Sequence, residues 1–437
     1  MKHSARIQAC IEILDSTIKA PIPMDLVIGD YMRGRRYIGS KDRAFIAERV
    51  YDIMRRFGLY GWIISDVHAP ANGRGYALTH LVMDANQSID DIADIFDGQK
   101  HAPKTLTEKE RSTYQFISEN RDGLVQRCPD HLRLECPEKY KDELSAFYGE
   151  SFEEQMKALQ SHATLDLRVN IRATHREEVR KGLLADGVET DETPLSPWGL
   201  RCRDKIHLSK TRAFRKGQIE IQDEGSQLIA VLCSPQSGQQ ILDYCAGGGG
   251  KTLAIAAAMQ GKGRLVATDI DGKRLAKTKT RLKRAGLSDN CEVRPLDEKR
   301  LVNWINRQDS NFDTVLVDAP CSGTGTWRRN PDNRWFQYGP DLDELIPMQR
   351  EILDKAARIP KPDGRLVYAT CSILPRENEE QVAWFLEQYP DYKVMPLEKA
   401  WPTEYPLPDI FKNETLMRLS PLHHNTDGFF AAVLVRQ

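Results

Sequence analysis

The apolar positions of this chain change their period twice along its 437 residues. From residue 1 to about 122 they recur at intervals of three and four. Ile7, Cys10, Ile11 and Leu14 form one such stripe, and Ile46, Val50, Ile53 and Phe57 form another behind Ser40 as N-cap. Thr107-x-x-Glu110 is a capping box before Tyr114, Phe116 and Ile117. This segment predicts an all-α bundle. From 123 to about 215, Leu132-Arg133-Leu134 and the alternating run 164–172 read as strands, and 138–148 and 176–186 as helices. That mixture predicts a small α+β module with Arg and Lys on its strand faces. Over 216–437 the runs at 241–244, 265–268, 314–317, 366–368 and 429–435 are mainly apolar and separated by helix-length polar or amphipathic segments. Such runs belong to strands buried on both faces, so this part predicts an α/β fold with a doubly wound, mostly parallel sheet.

Composition narrows this picture slightly. The length suits about three domains. A formal net charge of −1 gives no global pull on nucleic acid or membrane, so any polyanion site must be a local patch. Nine cysteines without a C-x-x-C pair argue against a disulfide framework and for a reducing cytoplasm. The chain starts on a charged amphipathic segment, and its apolar runs fall short of a membrane span. A cytoplasmic monomer without membrane contact is expected.

Chemistry enters at the first strand of the α/β part. Cys245-Ala246-Gly247-Gly248-Gly249-Gly250-Lys251-Thr252 follows it and leads into an Ala-rich helix, a turn where backbone closely approaches a ligand. Gly250-Lys251-Thr252 imitates the end of a P-loop, but that motif needs glycine at 245, where cysteine stands. A dinucleotide loop needs wider glycine spacing. S-adenosylmethionine fits better, since Asp269 ends the next strand roughly 20 residues on, where an acid meets a ribose in this topology. Asp297, after the following strand, is placed to serve the adenine amine.

Two later turns, Asp318-Ala319-Pro320-Cys321-Ser322-Gly323 and Ala369-Thr370-Cys371-Ser372, each follow an apolar strand. Two thiols at the C-terminal edge of a parallel sheet can face one ligand crevice. A metal centre from Cys321, Cys371 and His423 or His424 lacks ligand spacing, so none is expected. Trp327, Arg328, Arg329, Arg334 and Trp335 interleave cations with stacking surfaces directly after the Cys321 turn, which points to RNA. A second basic stretch carries Lys273, Arg274, Lys277, Lys279, Arg281, Lys283 and Arg284, and reads equally as a solvated helix face.

The segments 318–325, 328–335 and 368–372, with Pro375-x-Glu377-Asn378-Glu379, resemble the NOP/Sun family of RNA 5-methylcytosine methyltransferases. The resemblance is nearest to bacterial members that act on small-subunit ribosomal RNA. It extends to 222–227 and 427–431, and more weakly to 39–44 and 50–55. It implies a Rossmann-like class I methyltransferase domain preceded by a NusB-like helical domain and a small RNA-binding module. It also implies S-adenosylmethionine as cofactor, held by Cys245, Ala246, Gly247 to Gly250, Lys251, Asp269, Arg274, Asp297 and Asp318. By resemblance Cys371 is the nucleophile and Cys321 assists release, with Asp318 and Lys251 stabilising charge on the base. One departure is local, since the family usually has Ala-Pro where Gly247-Gly248 stands. The rival expectation is a non-catalytic RNA-binding assembly factor that kept the fold; a tRNA substrate is the alternative within the same chemistry.

Overall fold

The computed structural model describes residues 1–19, 22–204, 206, 208–296 and 299–437. It divides into two compact units, Met1–Ser161 with Trp327–Pro340, and His162–Thr326 with Asp341–Gln437.

The first unit is helical. His3–Lys19, Ser40–Arg55 and Gly73–Met83 enclose a core that includes Cys10, Leu14, Ile46, Val50, Ile53 and Leu81. The capping box of Thr107 and Glu110 opens the helix Glu108–Glu119. Ser40 does not cap; Gly39 holds that position, and Ser40 is the first helical residue. Phe57 begins the next helix, Phe57–Asp66. The expected strand at 132–134 is also helix, Asp130–Arg133, because Pro129 precedes it in an extended conformation and Leu134 N–H donates back to the Asp130 carbonyl. Helix then continues through Phe152–Ala158, well past residue 122.

Trp327–Pro340 is an interior part of this helical unit. Arg334 donates to the carbonyls of Glu135 at 3.1 Å and Leu159 at 2.6 Å, with its guanidinium 5.0 Å from the Trp327 ring centroid. Asp332 accepts from Met24 N–H at 2.9 Å. The buried Glu135 carboxylate accepts from Gly58 and Leu59 N–H. A side chain at Gly58 would collide with Trp335, which is why glycine stands there.

The second unit holds two sheets. Strands β1 (Leu165–Val169), β2 (Thr190–Glu192), β3 (Gly199–Cys202) and β4 (Ile219–Ile221) form an antiparallel sheet in the order β2-β3-β1-β4. The larger sheet comprises β5 (Gln240–Asp243), β6 (Arg264–Asp269), β7 (Cys291–Pro295), β8 (Phe312–Asp318), β9 (Pro360–Thr370), β10 (Tyr392–Val394), β11 (Leu416–Leu419) and β12 (Phe429–Arg436). Its order is β10-β12-β9-β8-β5-β6-β7, with β11 on β12; the run β9 to β7 is parallel, and the pairings of β12 are antiparallel. Alternate residues feed two cores. Leu316, Val367, Ala369 and Val433 enter one, while Val315, Val317, Leu366 and Leu434 enter the other, as continuous apolar runs require. The chain winds from β5 outward through β6 and β7, then returns to β8 on the other side of β5. The carboxyl ends of β5 and β8 therefore flank the switch point where such sheets bind ligands.

Candidate active site

Asp318 at the end of β8 stands opposite Ala369 of β9 in parallel register. Each strand then turns after a short step, and the Cys321 and Cys371 sulfurs come within 3.5 Å of one another, both partly exposed. The Cys321 thiol is raised well above its ordinary value, first by its hydrogen bond with Cys371, then by burial and the charges of Cys371 and Glu377.

Lys251, in the first turn of the helix Gly250–Ala258, reaches Asp318 Oδ2 at 2.7 Å. Burial pulls its ammonium down, but the adjacent Asp318 carboxylate more than offsets this and the net shift is upward. The pair sets an ammonium and a carboxylate side by side, and Cys371 also acts on Lys251 electrostatically.

The glycine loop owes its shape to its own backbone and to five neighbouring residues. Gly247 (φ +53°) and Gly249 (φ +78°) take left-handed conformations, and a Cβ at Gly249 would collide with Thr278. Gly247 N–H donates to Asp269 Oδ2 at 2.7 Å, and Ala246 N–H donates to the Thr268 carbonyl at 2.9 Å. Arg281 donates to the Gly248 carbonyl and Arg168 of β1 to that of Gly250, so the small sheet helps hold the loop. Full burial brings Arg168 down to about 9.

Asp243, at the end of β5, is fully buried; Oδ2 accepts from Thr252 Oγ1 at 2.6 Å, and Oδ1 has no hydrogen-bond partner among the described residues. Burial pushes this carboxyl up to about 7. A nucleoside cofactor fits these residues: a Cβ on Gly248 would meet only Arg281 Nη1 at 3.7 Å, so the backbone is open there, and Asp269 ends the adjoining strand. Arg274 is exposed, with its guanidinium beside Gly247. Cys245 is partly exposed and its thiol is raised by burial. Asp297 lies outside the described residues.

The expected stacking surface needs correction. Trp327, Arg328 and Arg334 are buried, and Arg329 and Trp335 are half-buried. In this structure the first three are interior side chains of the helical unit, because Arg334 satisfies carbonyls that helix ends leave open. The basic stretch forms the helix Gly272–Ala285, on which Lys273, Lys277, Lys279 and Lys283 are exposed while Arg281 and Arg284 pair with Glu220.

Sequence reasoning missed the polar network behind the thiols. Glu377 and Asn378 are completely buried, and with Gln349, Thr324 and Ser372 they tie the two cysteine turns together. Among the described residues no group of three or more His, Cys, Asp or Glu could hold a metal ion, and no helix is long and apolar enough to cross a membrane.

Residues 230–435 match the family model described as 16S rRNA methyltransferase RsmB/F, and 136–208 match the ferredoxin-like domain of RsmF/B-like methyltransferases. The ribosomal RNA small subunit methyltransferase B of Salmonella paratyphi B is 30% identical over 412 residues, 92% of each chain. The crystal structure of PH0851 covers 99% of both chains at 26% identity, with a TM-score of 0.75. That of a methyltransferase homolog protein from Pyrococcus horikoshii covers 70% of this chain and 97% of its own at 28% identity, with a TM-score of 0.58.

Proposed function

The chain belongs to the RsmB/F family of 16S rRNA methyltransferases, and from that membership we propose that it methylates carbon 5 of a cytosine in 16S rRNA through a Cys371 thiolate. The observation that carries the cytosine chemistry is the pair of sulfurs 3.5 Å apart beside the Lys251–Asp318 ion pair.

Carbon 5 of cytosine is a poor nucleophile. Addition of the Cys371 thiolate to carbon 6 makes the ring enamine-like and carbon 5 electron-rich, which splits one difficult step into two. S-adenosylmethionine, when bound, supplies the electrophilic methyl group. The loop 245–250, Asp269 and Arg274 are the groups that hold it. Asp318 accepts from the exocyclic amine and, as charge develops and N3 takes up a proton, from N3–H, and Lys251 keeps Asp318 in place while adding positive charge. Once carbon 5 carries both methyl and hydrogen, its proton must leave to a base, and the carbon–sulfur bond breaks to return the Cys371 thiolate. Cys321, kept as a thiol, stands next to that bond and assists its release. The NusB-like helical segment and the small α+β module bring the RNA, and the protein works as a cytoplasmic monomer.

The test is incubation of the purified protein with 16S rRNA and methyl-labelled S-adenosylmethionine, followed by nucleoside analysis. Labelled 5-methylcytidine is expected. Label on another base would refute the cytosine chemistry, and cofactor binding without any transfer would favour an assembly factor.

A further inference from the structure

Two sulfurs only 3.5 Å apart receive different tasks in the reading above, so some group must make them unequal. Glu377 is placed to do so. Its carboxylate is wholly buried. Oε1 accepts from Ser322 N–H at 2.8 Å and Gln349 Nε2 at 3.0 Å, and Oε2 accepts from Ser322 Oγ at 2.5 Å. Gln349 Nε2 also donates to the Pro320 carbonyl at 2.9 Å. The acid therefore grips the Cys321 turn at the residues on both sides of the cysteine.

The side chains on the Cys371 turn are bonded mainly by neutral groups, with the Arg418 guanidinium donating to the Ile373 carbonyl just beyond it at 3.3 Å. Thr370 Oγ1 donates to Asn378 Oδ1 at 2.6 Å, Asn378 Nδ2 donates to the Ser372 carbonyl at 3.0 Å, and Ser372 Oγ pairs with Thr324 Oγ1 at 3.1 Å. Lys251 and Asp318 pair with each other, Arg418 pairs with Glu379, and Tyr368 donates its hydroxyl to the Glu377 carbonyl. A buried anion hydrogen-bonded to Ser322, the residue after Cys321, opposes a second anion on the Cys321 sulfur.

We infer that Glu377 is a positioning residue that divides the labour of the thiols, fastening the Cys321 turn through Ser322 and Gln349 so that Cys321 remains a thiol and Cys371 ionises. The meaning of that division rests on the proposed cytosine chemistry, but the division itself can be read without RNA.

The experiment is carbamidomethylation of the full-length, phosphine-reduced protein at pH 8, with the Cys321 and Cys371 peptides followed separately by mass spectrometry. In the unaltered protein Cys371 reacts about tenfold faster than Cys321. Glu377→Gln raises the Cys321 rate about tenfold relative to Cys371. Ser322→Ala, which retains the carboxylate and its backbone bond, leaves the ratio within about twofold on the same scale. A faster Cys321 in the unaltered protein overturns the inference whether or not the variant folds. So does an unchanged ratio in a folded Glu377→Gln protein, or an equal change in Ser322→Ala, which would mark mere loosening of the turn. The expected thiol order in a protein that transfers no methyl to cytosine would refute the proposed function and leave this inference standing.

Discussion

Lys251 Nζ lies 2.7 Å from Asp318 Oδ2, joining the helix that follows the glycine loop to the strand that leads into the Cys321 turn. The contact couples the cofactor side of the crevice to the thiol side. Asp318→Asn leaves the nearly buried ammonium without its counterion. Breaking a buried pair in this way costs about 3–5 kcal/mol, and with Asp318 31% exposed the loss should fall to about 1–3. Lost charge stabilisation should also lower kcat by about a hundredfold or more. Because Lys251 is raised above 10.5, the stability it contributes is fully present below that value and is lost as pH rises through the shifted one. Urea titrations at pH 7 and 9 should therefore find the same difference between the parent and Asp318→Asn, with convergence only at higher pH.

Gly248 and Gly249 should respond oppositely to alanine. Gly249 has φ +78° and no room beside Thr278, so Gly249→Ala should cost at least about 1–3 kcal/mol and abolish calorimetric binding of S-adenosylmethionine. Gly248 lies outside the left-handed region, and a Cβ there meets only Arg281 at 3.7 Å. Gly248→Ala should stabilise by about 0.4–1 kcal/mol, read as a higher melting temperature, because the unfolded chain loses freedom.

Arg334 separates a structural role from an RNA contact. Arg334→Met removes the donor to two buried carbonyls and should destabilise the helical unit by about 3 kcal/mol, at about 1–3 per orphaned group. The salt dependence of RNA binding by the folded fraction should not change. A direct phosphate contact would instead lower that slope by about one.

His80 gives the helical unit an acid sensitivity. Burial, then the Arg49 charge, brings its imidazole down to about 4 from 6.5. Between those values the unfolded chain binds a proton that the folded one refuses, so stability present above pH 6.5 is lost as pH falls towards 4, by about 3 kcal/mol in all. Chemical denaturation of the parent and His80→Gln across pH 7 to 4.5 should show a shallower decline in the variant. Parallel declines would contradict the assignment.

The sheet was legible because β5, β6, β8, β9 and β12 each contain a short apolar run buried on both faces. Both cysteine turns could be placed for the same reason, as each directly follows such a strand. The stretch 327–335 was not legible. Alternating Trp and Arg looks the same whether cations meet phosphates or buried carbonyls, and only the fold returns this segment to Glu135 and Leu159. Glu377 was hidden likewise, because a lone acid in a turn does not announce burial; its partners Ser322 and Gln349 are distant in sequence.

The division of labour between Cys321 and Cys371 is tested most directly by trapping the covalent intermediate. Cys321→Ala and Cys371→Ala proteins are incubated with 16S rRNA and S-adenosylmethionine and resolved on a denaturing gel. Cys321→Ala should accumulate an RNA–protein adduct, because addition proceeds while release stalls, and Cys371→Ala should form none. An adduct in Cys371→Ala with none in Cys321→Ala would contradict the account and make Cys321 the nucleophile.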